Sequence, residues 1–495
     1  MDTVWVLGDQ LNRAFSGFAG ARPETHRVLL VHAADLIGHP GRHRQRTHLV
    51  VTAMHRFARE LAAGGFQVDE REAPSLAAGL AGHRRRFRPG RVVAMEPSSR
   101  PALRMLRRNG VDTVRSNQFL CHYEDFAAWA AGRRRLRNED FYRWQRRRLG
   151  YLMDGDEPAG GRWNYDAENR RPPPAGERPW PQRRRFPLDA LDRRVLAALP
   201  ADAPGAGPAG WWPTSREQAL ERLDEFVEGV LPHFGPWQDA MLGDDWHLAH
   251  SLLSPALNLG LLLPAEVCDA AERAFRTGRV PIESAEGFVR QVIGWREYVW
   301  GLYWLWGEEY EGRNELEADL GLPAAFRGAA TRMACVAAAA AGVEARGYAH
   351  HIQRLMVFGN LALLAGVRPA EMVRWMRDSF VDGADWVMVP NVIGMALHAD
   401  GGMMATKPYA AGGGYIDRMS DSCRRCSFDP RQRTGPEGCP FTVLYWDFLD
   451  RHRERLAANP RMVLQVRNLD RIAADLPAIR SRAAEIRRAL PDGGI

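Results

Sequence analysis

Over the first 130 positions, short apolar runs alternate with segments of helical spacing. The runs VWVLGDQL, RVLLVHAADL, GFQVDERE, RVVAMEP and GVDTVRSNQFL predict five strands, while residues 47–63 repeat apolar side chains every three or four positions. Strands alternating with helices favour a doubly wound, Rossmann-like parallel sheet with helices on both faces. We therefore predict an α/β domain over residues 1–130.

The pattern becomes helical after residue 213. Segments such as REQALERLDEFVEGVL, AEGFVRQVIGWREYVWGLYWLW and HHIQRLMVFGNLALLAG carry apolar residues at 3.6-residue spacing. They predict a large all-α domain over residues 214–495. Between the two domains, residues 131–213 are rich in proline and contain arginine triplets at 133–135, 146–148 and 183–185. This composition is typical of an extended connector that is poorly suited to a core.

The charge adds a possible partner to this picture. The formal net charge is +7, and nearly all of the cations are arginine. Arginine interleaved with aromatic residues, as in FYRWQRRR and GRWNYDAENRR, suits a nucleic-acid surface, although a solvated linker explains the same stretch. The chain has no apolar run of about 18 residues and no signal peptide at its start. We therefore expect a cytoplasmic protein without a membrane span, whose cysteines stay reduced.

Three of the six cysteines lie close together in the sequence. Cys423, Cys426 and Cys439 have the spacing C-x2-C-x12-C, which suits a zinc ion or an iron–sulfur cluster. A fourth ligand would have to come from Cys121, Cys268 or Cys335, and each of these could equally be a small buried apolar residue. Spacing alone leaves both the fourth ligand and the metal open.

Two short motifs could bind anions or a ligand. Gly8-Asp9-Gln10 follows the first strand, and ligands of open parallel sheets bind at the carboxyl ends of strands. An ordinary turn explains this motif equally well. In HSLLSPALNLG, the hydroxyls of Ser251 and Ser254 near a helix start could contact a phosphate, although plain helix capping is the commoner role.

Two further motifs could carry chemistry. In YAHHIQRLM, His350 and His351 are adjacent, so on a helix they point about 100° apart. One of them could face a pocket together with Arg354 and serve acid–base or anion-binding chemistry. In HADGGMMATKPYAAGGGYI, the glycines permit close backbone approach to a flat ligand, and Asp400 could accept a hydrogen bond from a ring N–H.

Several motifs in order along nearly the whole chain resemble the iron–sulfur branch of the cryptochrome and photolyase family, the bacterial (6-4) photolyase-like proteins. They are GDQL, GGRWNYDAENR, HSLLSPALNLGLL, EGFVRQVIGWREYVWGLYW, GYAHHIQRLMVFGN, PNVIGM, ADGGMMATKPYAAGGGYI and the cysteine cluster with CPFTVLYWDF. The resemblance implies an N-terminal antenna domain, a connector and an all-α domain that binds FAD. The implied activity is light-driven repair of (6-4) photoproducts in DNA by electron transfer from reduced FAD. The alternatives are a cryptochrome-type blue-light photoreceptor and a member with a non-photochemical flavin or iron–sulfur function.

The resemblance also assigns roles to residues. Cys335 becomes the fourth ligand of a four-iron, four-sulfur cluster, and His350 and His351 match the active-site histidine pair. The implied flavin-binding residues are Ser251, Leu252, Leu253, Ser254, Trp295, Arg296, Arg354, Asp400, Gly401 and Tyr409, and Asp9 and Gln10 match positions that bind a lumazine antenna chromophore. The implied partner is UV-damaged DNA, and we expect a monomer.

The chain departs from the family at several of these positions. Arg327 stands where relatives carry a tryptophan of the flavin-reducing path, and Met376 replaces a tyrosine beside Trp375, which matches the next path tryptophan. Because a guanidinium cannot relay an electron, we expect photoreduction by the family's route to be impaired. Trp300 replaces an arginine expected near the substrate side. VHA at 31–33 lacks the acid of the family's V-E-V, which argues against lumazine binding.

Overall fold

The structure is a computed structural model that describes all 495 residues. Its strands are β1 (Asp2–Val6), β2 (His26–Ala33), β3 (Gln67–Ala73), β4 (Val92–Met95), β5 (Asp112–Val114), β6 (Met153–Asp154) and β7 (Glu157–Pro158). Its α-helices are α1 (Ala34–Ile37), α2 (Arg44–Ala63), α3 (Leu76–Phe87), α4 (Arg100–Arg108), α5 (Tyr123–Ala130), α6 (Asn138–Leu149), α7 (Ala190–Ala198), α8 (Arg216–Gly229), α9 (Leu231–Trp237), α10 (Ser254–Leu259), α11 (Pro264–Arg276), α12 (Ile282–Val289), α13 (Glu297–Trp306), α14 (Ala334–Arg346), α15 (Asn360–Ala365), α16 (Pro369–Ser379), α17 (Asp385–Pro390), α18 (Gly413–Met419), α19 (Pro440–Arg451), α20 (Arg453–Ala457), α21 (Val463–Arg471) and α22 (Leu476–Ala489).

The five predicted strands form one parallel sheet in the order β3-β2-β1-β4-β5. The near-continuous apolar run of β2 fits its place inside the sheet, where both of its faces are buried. Val28 and Leu30 pack on one side, in a core shared with the helical region, and Leu29 packs in a separate core on the other side. The predicted α/β, doubly wound fold class is confirmed. The strand order reverses between β1 and β4, which makes their carboxyl ends the place where such sheets bind ligands.

Residues 131–213 are more ordered than an extended connector. They include α6 and α7, and the aromatic side chains of Trp180 and Phe186 are buried. Their core contacts join the sheet to the helical region through one continuous apolar cluster. Burial of aromatic residues, which occur between the arginines and prolines, offsets the poor helix and strand propensity of this segment.

Residues 214–495 form the predicted helical region. Its helices α8 to α12 pack in the cluster shared with the sheet, whereas α13 to α19 form a second core that α21 and α22 close. Three π-helical segments interrupt or extend its helices, at Arg290–Arg296, Gln353–Gly359 and Asn391–Ala396. Such wide turns often mark functional positions. None of the helices combines the length and the apolarity that a membrane span needs.

Candidate functional sites

The buried carboxylate of Asp382 links two of the predicted flavin-binding residues, Ser254 and Arg354. The Arg354 guanidinium contacts both carboxylate oxygens of Asp382, with Nη1 3.0 Å from Oδ1 and Nη2 3.1 Å from Oδ2. Ser254 Oγ donates to Asp382 Oδ2 at 2.7 Å. Paired contacts of this kind fix the orientation of a guanidinium. Asp382 therefore holds Ser254 of α10 and Arg354 at one point.

The loop before Ser254 has an unusual backbone. Leu248 and Leu252 have φ values of 41° and 59°, and Leu253 returns to the right-handed region. Asp245 supports the first of these turns by accepting hydrogen bonds from the Leu248 N–H at 2.9 Å and from the Trp180 indole at 2.8 Å. A left-handed residue followed by a right-handed one turns successive N–H groups toward one concave side, which favours an anion.

The π-helical segments carry several of the candidate residues. Trp295 lies in the first segment, Arg354 in the second and Asn391 in the third. The Trp295 indole donates to Asn391 Oδ1 at 3.1 Å and so ties two of these segments together. A repeat of 3.6 residues in the sequence does not reveal such turns.

The adjacent histidines have different surroundings. The His350 side chain is completely buried and stacks on the His250 ring at 4.6 Å and 16°. Neither ring nitrogen of His350 has a hydrogen-bond partner. Burial, reinforced by the neighbouring histidines, lowers the pKa of His250 and of His350 well below the usual 6.5. His351 is instead exposed, with Nε2 3.4 Å from Asp239 Oδ1.

Two tyrosines lie within electrostatic range of Asp239, the neighbour of His351. Tyr409 is 39% exposed, and burial of its phenol raises its pKa, while the charges of Arg170 and Arg461 oppose that rise. Asp239 also raises the pKa of Tyr415, after the larger effect of burial. Arg170 is largely exposed and belongs to the predicted connector. The connector thus contributes a cation, Arg170, whose charge acts on Tyr409 and Tyr415.

Arg296 lies among aromatic side chains. It pairs with Glu297 at 2.9 Å, and its guanidinium lies 4.0 Å from the Phe119 ring centroid. The Trp300 ring also stacks on the Phe119 ring, with the two centroids 3.9 Å apart. Burial lowers the pKa of Arg296. Its contacts therefore join the helical region to the segment that follows the sheet.

Asp400 organises its own loop. Its carboxylate accepts hydrogen bonds from the Tyr310 hydroxyl at 2.8 Å and from the N–H groups of Gly402 and Met404 at 2.9 Å. Gly401, at φ 68°, makes the turn that brings these donors together. Three donors leave Asp400 little free acceptor capacity for a ring N–H.

Trp375 lies within the core of the helical region. Its indole donates to the Phe326 carbonyl at 3.1 Å, and its ring lies 5.6 Å from that of Phe380. The Phe380 ring in turn lies 4.2 Å from the Arg354 guanidinium. Arg327 is exposed, immediately after Phe326. An aromatic series therefore runs outward from the Arg354 group and ends at a charged residue.

Asp9 and Gln10 lie at the point where the strand order reverses. The Gln10 amide donates to the carbonyls of Met95 and Glu96 at 3.1 and 3.2 Å, across the ends of β1 and β4. Ser98 Oγ donates to Asp9 Oδ2 at 2.5 Å, and burial raises the pKa of Asp9. Both predicted antenna contacts are thus already engaged within the sheet domain.

Four cysteines line one cavity. Cys335, in the first turn of α14, meets Cys423, Cys426 and Cys439, which surround the loop before α19. Cys121 and Cys268 lie elsewhere and are completely buried. No three of the four sulfurs lie within 4.8 Å of one another.

The surroundings of this cavity keep it open and apolar. A Cβ at Gly413 would lie 2.9 Å from Cys439 Sγ, so only glycine lets α18 begin this close to that thiol. Burial raises the pKa of Cys335 well above its usual value and that of Cys423 to about 12, and the neighbouring thiols add to both shifts. Several thiolates in a buried apolar cavity require a compensating cation.

Sequence reasoning missed three residues of these sites. Asp382 is 128 positions from Ser254, and Asn391 is 96 positions from Trp295. His250 was not predicted as a site residue, although it is the first residue of the motif HSLLSPALNLG. An acid before glycine, in VDGAD, and the asparagine of PNVIGM were the available signals.

The chain is similar over its full length to a photolyase. It is 40% identical to the (6-4) photolyase of Agrobacterium fabrum, with 98% of this chain and 99% of that protein aligned. Residues 4–206 match the family described as deoxyribodipyrimidine photo-lyase-related protein. A bacterial class III photolyase from Agrobacterium tumefaciens has a similar structure, with a TM-score of 0.57 and 17% identity, covering 92% of this chain and 86% of the other. A cryptochrome from Synechocystis gives a TM-score of 0.54 and 13% identity, with 80% and 82% covered.

A doubly wound sheet joined to a helical region of this kind defines the photolyase and cryptochrome fold. Within that fold, the 40% sequence identity over the full length of the chain indicates one particular family. The chain belongs to the deoxyribodipyrimidine photo-lyase-related family.

Proposed function

We propose that this protein is a light-driven DNA photolyase that repairs (6-4) photoproducts with the help of bound FAD. The observation that carries the proposal is the 40% identity over 98% of the chain to a protein named (6-4) photolyase. Reduced FAD, when bound, supplies an electron to the lesion under blue light. The protein's own residues hold the cofactor, admit the damaged bases and deliver a proton.

The helical region offers suitable groups for holding FAD. The turned backbone at Leu252 and Leu253 and the hydroxyl of Ser251 suit a pyrophosphate, because they present donors to an anion. The Ser254 hydroxyl instead donates its proton to Asp382. The Arg354–Asp382 pair lies directly beside Ser254. Unpartnered nitrogens of His250 and His350 fit a buried polar ligand, since buried polar atoms normally have a partner. Trp295, Arg296, Asp400, Gly401 and Tyr409 remain predicted flavin contacts.

His351 is the better candidate for the proton donor to the lesion. It is exposed beside Asp239, whereas His350 is completely buried and has a pKa that keeps it neutral. His350 would instead support the inner wall, with His250 against its ring.

Exposed arginines provide a DNA-binding surface. Arg133, Arg134 and Arg135 are exposed, and so are Arg184 and Arg185, and such cations bind phosphates. The aromatic residues of FYRWQRRR serve the fold, because Phe141 and Tyr142 are completely buried. A damaged pair costs less to unstack than an intact one, which helps the lesion reach a pocket.

The four cysteines suit an iron–sulfur cluster better than zinc. A tetrahedral zinc with bonds of about 2.3 Å needs sulfurs only about 3.8 Å apart. The sulfurs here are spread more widely, since no three lie within 4.8 Å. We therefore propose Cys335, Cys423, Cys426 and Cys439 as the ligands of a four-iron, four-sulfur cluster. It would tie α14 to the loop before α19 and so act structurally.

A repair assay tests the proposed activity. Oligonucleotides with one (6-4) photoproduct would be illuminated with blue light after chemical reduction of the bound FAD. We expect restored thymines in light and none in darkness, and no repair by the reduced protein in light would refute the proposal. Repair only after chemical reduction would locate the fault in the electron path around Arg327. His351→Ala should abolish repair while FAD stays bound, whereas retained repair would show that another group is the acid.

A further inference from the structure

A separate group of metal-ligating side chains lies in the α/β domain. His32 lies in β2, Glu70 in β3 and His55 in α2. Leu30 pairs with Glu70 in the parallel register, so His32, two residues after Leu30, points to the same side of the sheet as Glu70. α2 packs against that side, and its residue His55 completes the group.

The three ligand atoms converge closely. His32 Nε2 lies 2.9 Å and His55 Nδ1 lies 2.5 Å from the same oxygen, Glu70 Oε1. All three ligand atoms lie within 4.8 Å of one another, and no other three histidine, cysteine or acidic side chains in the chain do so. The two imidazole rings stack at 4.3 Å and 24°. A metal with ligand bonds of about 2.0–2.1 Å needs neighbouring ligand atoms about 3.4 Å apart, so small side-chain movements would suffice.

We propose that His32, His55 and Glu70 bind one divalent transition-metal ion, with Zn²⁺ as the representative. Two imidazoles and one carboxylate form a donor set that suits such ions, whereas Mg²⁺ and Ca²⁺ prefer oxygen ligands throughout. Three protein ligands leave a fourth position for water or another small ligand. The proposed repair chemistry uses none of these residues.

The burial of the group favours a specific site over an accidental surface cluster. The side chains of His32, His55 and Glu70 are 3%, 21% and 31% exposed. His32 Nδ1 has no hydrogen-bond partner. Loss of such a supporting partner typically lowers metal affinity by about 10- to 100-fold. We therefore expect an exchangeable ion that a chelator removes.

Metal analysis of the full-length protein tests the site. Protein that retains its iron would be treated with a chelator, dialysed against Zn²⁺ and analysed for zinc and iron together. We expect one equivalent of zinc in the wild type and its loss in His55→Gln and Glu70→Gln. The control variant is His26→Gln, which changes a histidine on the same strand as His32, and it should retain the zinc. No zinc in the wild type, or equal zinc in all four proteins, would overturn the proposal.

Two further measurements separate this site from the cysteine cavity and from misfolding. Co²⁺ held by nitrogen and oxygen should give visible bands without the intense thiolate-to-cobalt absorption in the near ultraviolet. A cobalt spectrum with only that thiolate absorption would refute binding at His32, His55 and Glu70. Anomalous scattering from zinc-soaked wild-type crystals needs no variant. A peak among the three side chains supports the site, and a peak only elsewhere overturns it.

Discussion

The Arg354–Asp382 pair allows a quantitative test, because Asp382→Asn removes one charge and keeps the side-chain shape. The pair is well shielded, with side-chain exposures of 17% and 8% and contacts of 3.0 and 3.1 Å. Removing one partner of a buried pair costs about 3–5 kcal/mol, because the remaining charge is uncompensated. The entropy of unfolding is about 2.1 cal/mol/K per residue, so over 495 residues this loss corresponds to a fall in Tm of about 3–5 °C.

The assay is thermal unfolding of the FAD-stripped variant, followed by measurement of FAD occupancy after reconstitution. Asp385→Asn is the matched control, since it makes the same substitution three residues away in a more exposed pair with Arg377, at 31% and 26% exposure. That pair is worth about 1 kcal/mol or less, so its Tm should change by about 1 °C or less. We expect Asp382→Asn alone to lose FAD. Equal Tm shifts and equal occupancy in the two variants would refute the anchoring role of Asp382.

Three further predictions follow from the sites. Cys335→Ser should lose the bound iron and the broad brown absorbance expected of an iron–sulfur cluster. Cys268 is buried outside the cavity, so Cys268→Ser should keep both. Iron retained in Cys335→Ser would exclude Cys335 as a ligand. His250 and His350 stay neutral in the folded chain while the unfolded chain takes up protons, so stability should fall as pH drops below about 6.5. His350→Gln should reduce that slope by up to about 1.4 kcal/mol per pH unit, and an unchanged slope in a folded His350→Gln would contradict the lowered pKa of His350. Arg327→Trp combined with Met376→Tyr should speed photoreduction of bound FAD, measured by absorbance under blue light, whereas Arg374→Trp on the outer face of α16 should not. An unchanged rate would show that these two positions do not limit the path.

Local sequence determined most of the secondary structure. The apolar runs of the first 130 residues became the five strands. The inner strands β1, β2 and β4 are apolar on both faces, because both faces of a parallel sheet are covered, whereas the edge strands β3 and β5 are partly exposed. The helical periodicity after residue 213 likewise became α8 to α22. Composition was a poorer guide in 131–213, because the buried aromatics Trp180 and Phe186 outweigh the surrounding prolines.

The sequence by itself also determined part of the chemistry. The spacing of Cys423, Cys426 and Cys439 indicated a metal centre, because ligands from one short loop can reach one point. Family resemblance then named Cys335, and the fold places it in the same cavity. Adjacency of His350 and His351 predicted that their side chains diverge, but only the packing of His250 against one ring decided which histidine is buried.

Only the tertiary structure decided the contacts between distant segments. Asp382 reaches Ser254 across 128 positions, and His32, His55 and Glu70 come from three different elements. Strand register, helix packing and the π-helical turns set these distances, and none of them has a local signature in the residues concerned. Burial is decided in the same way, since it depends on which elements pack together, and it is burial that shifts the pKa of His350 and Cys335.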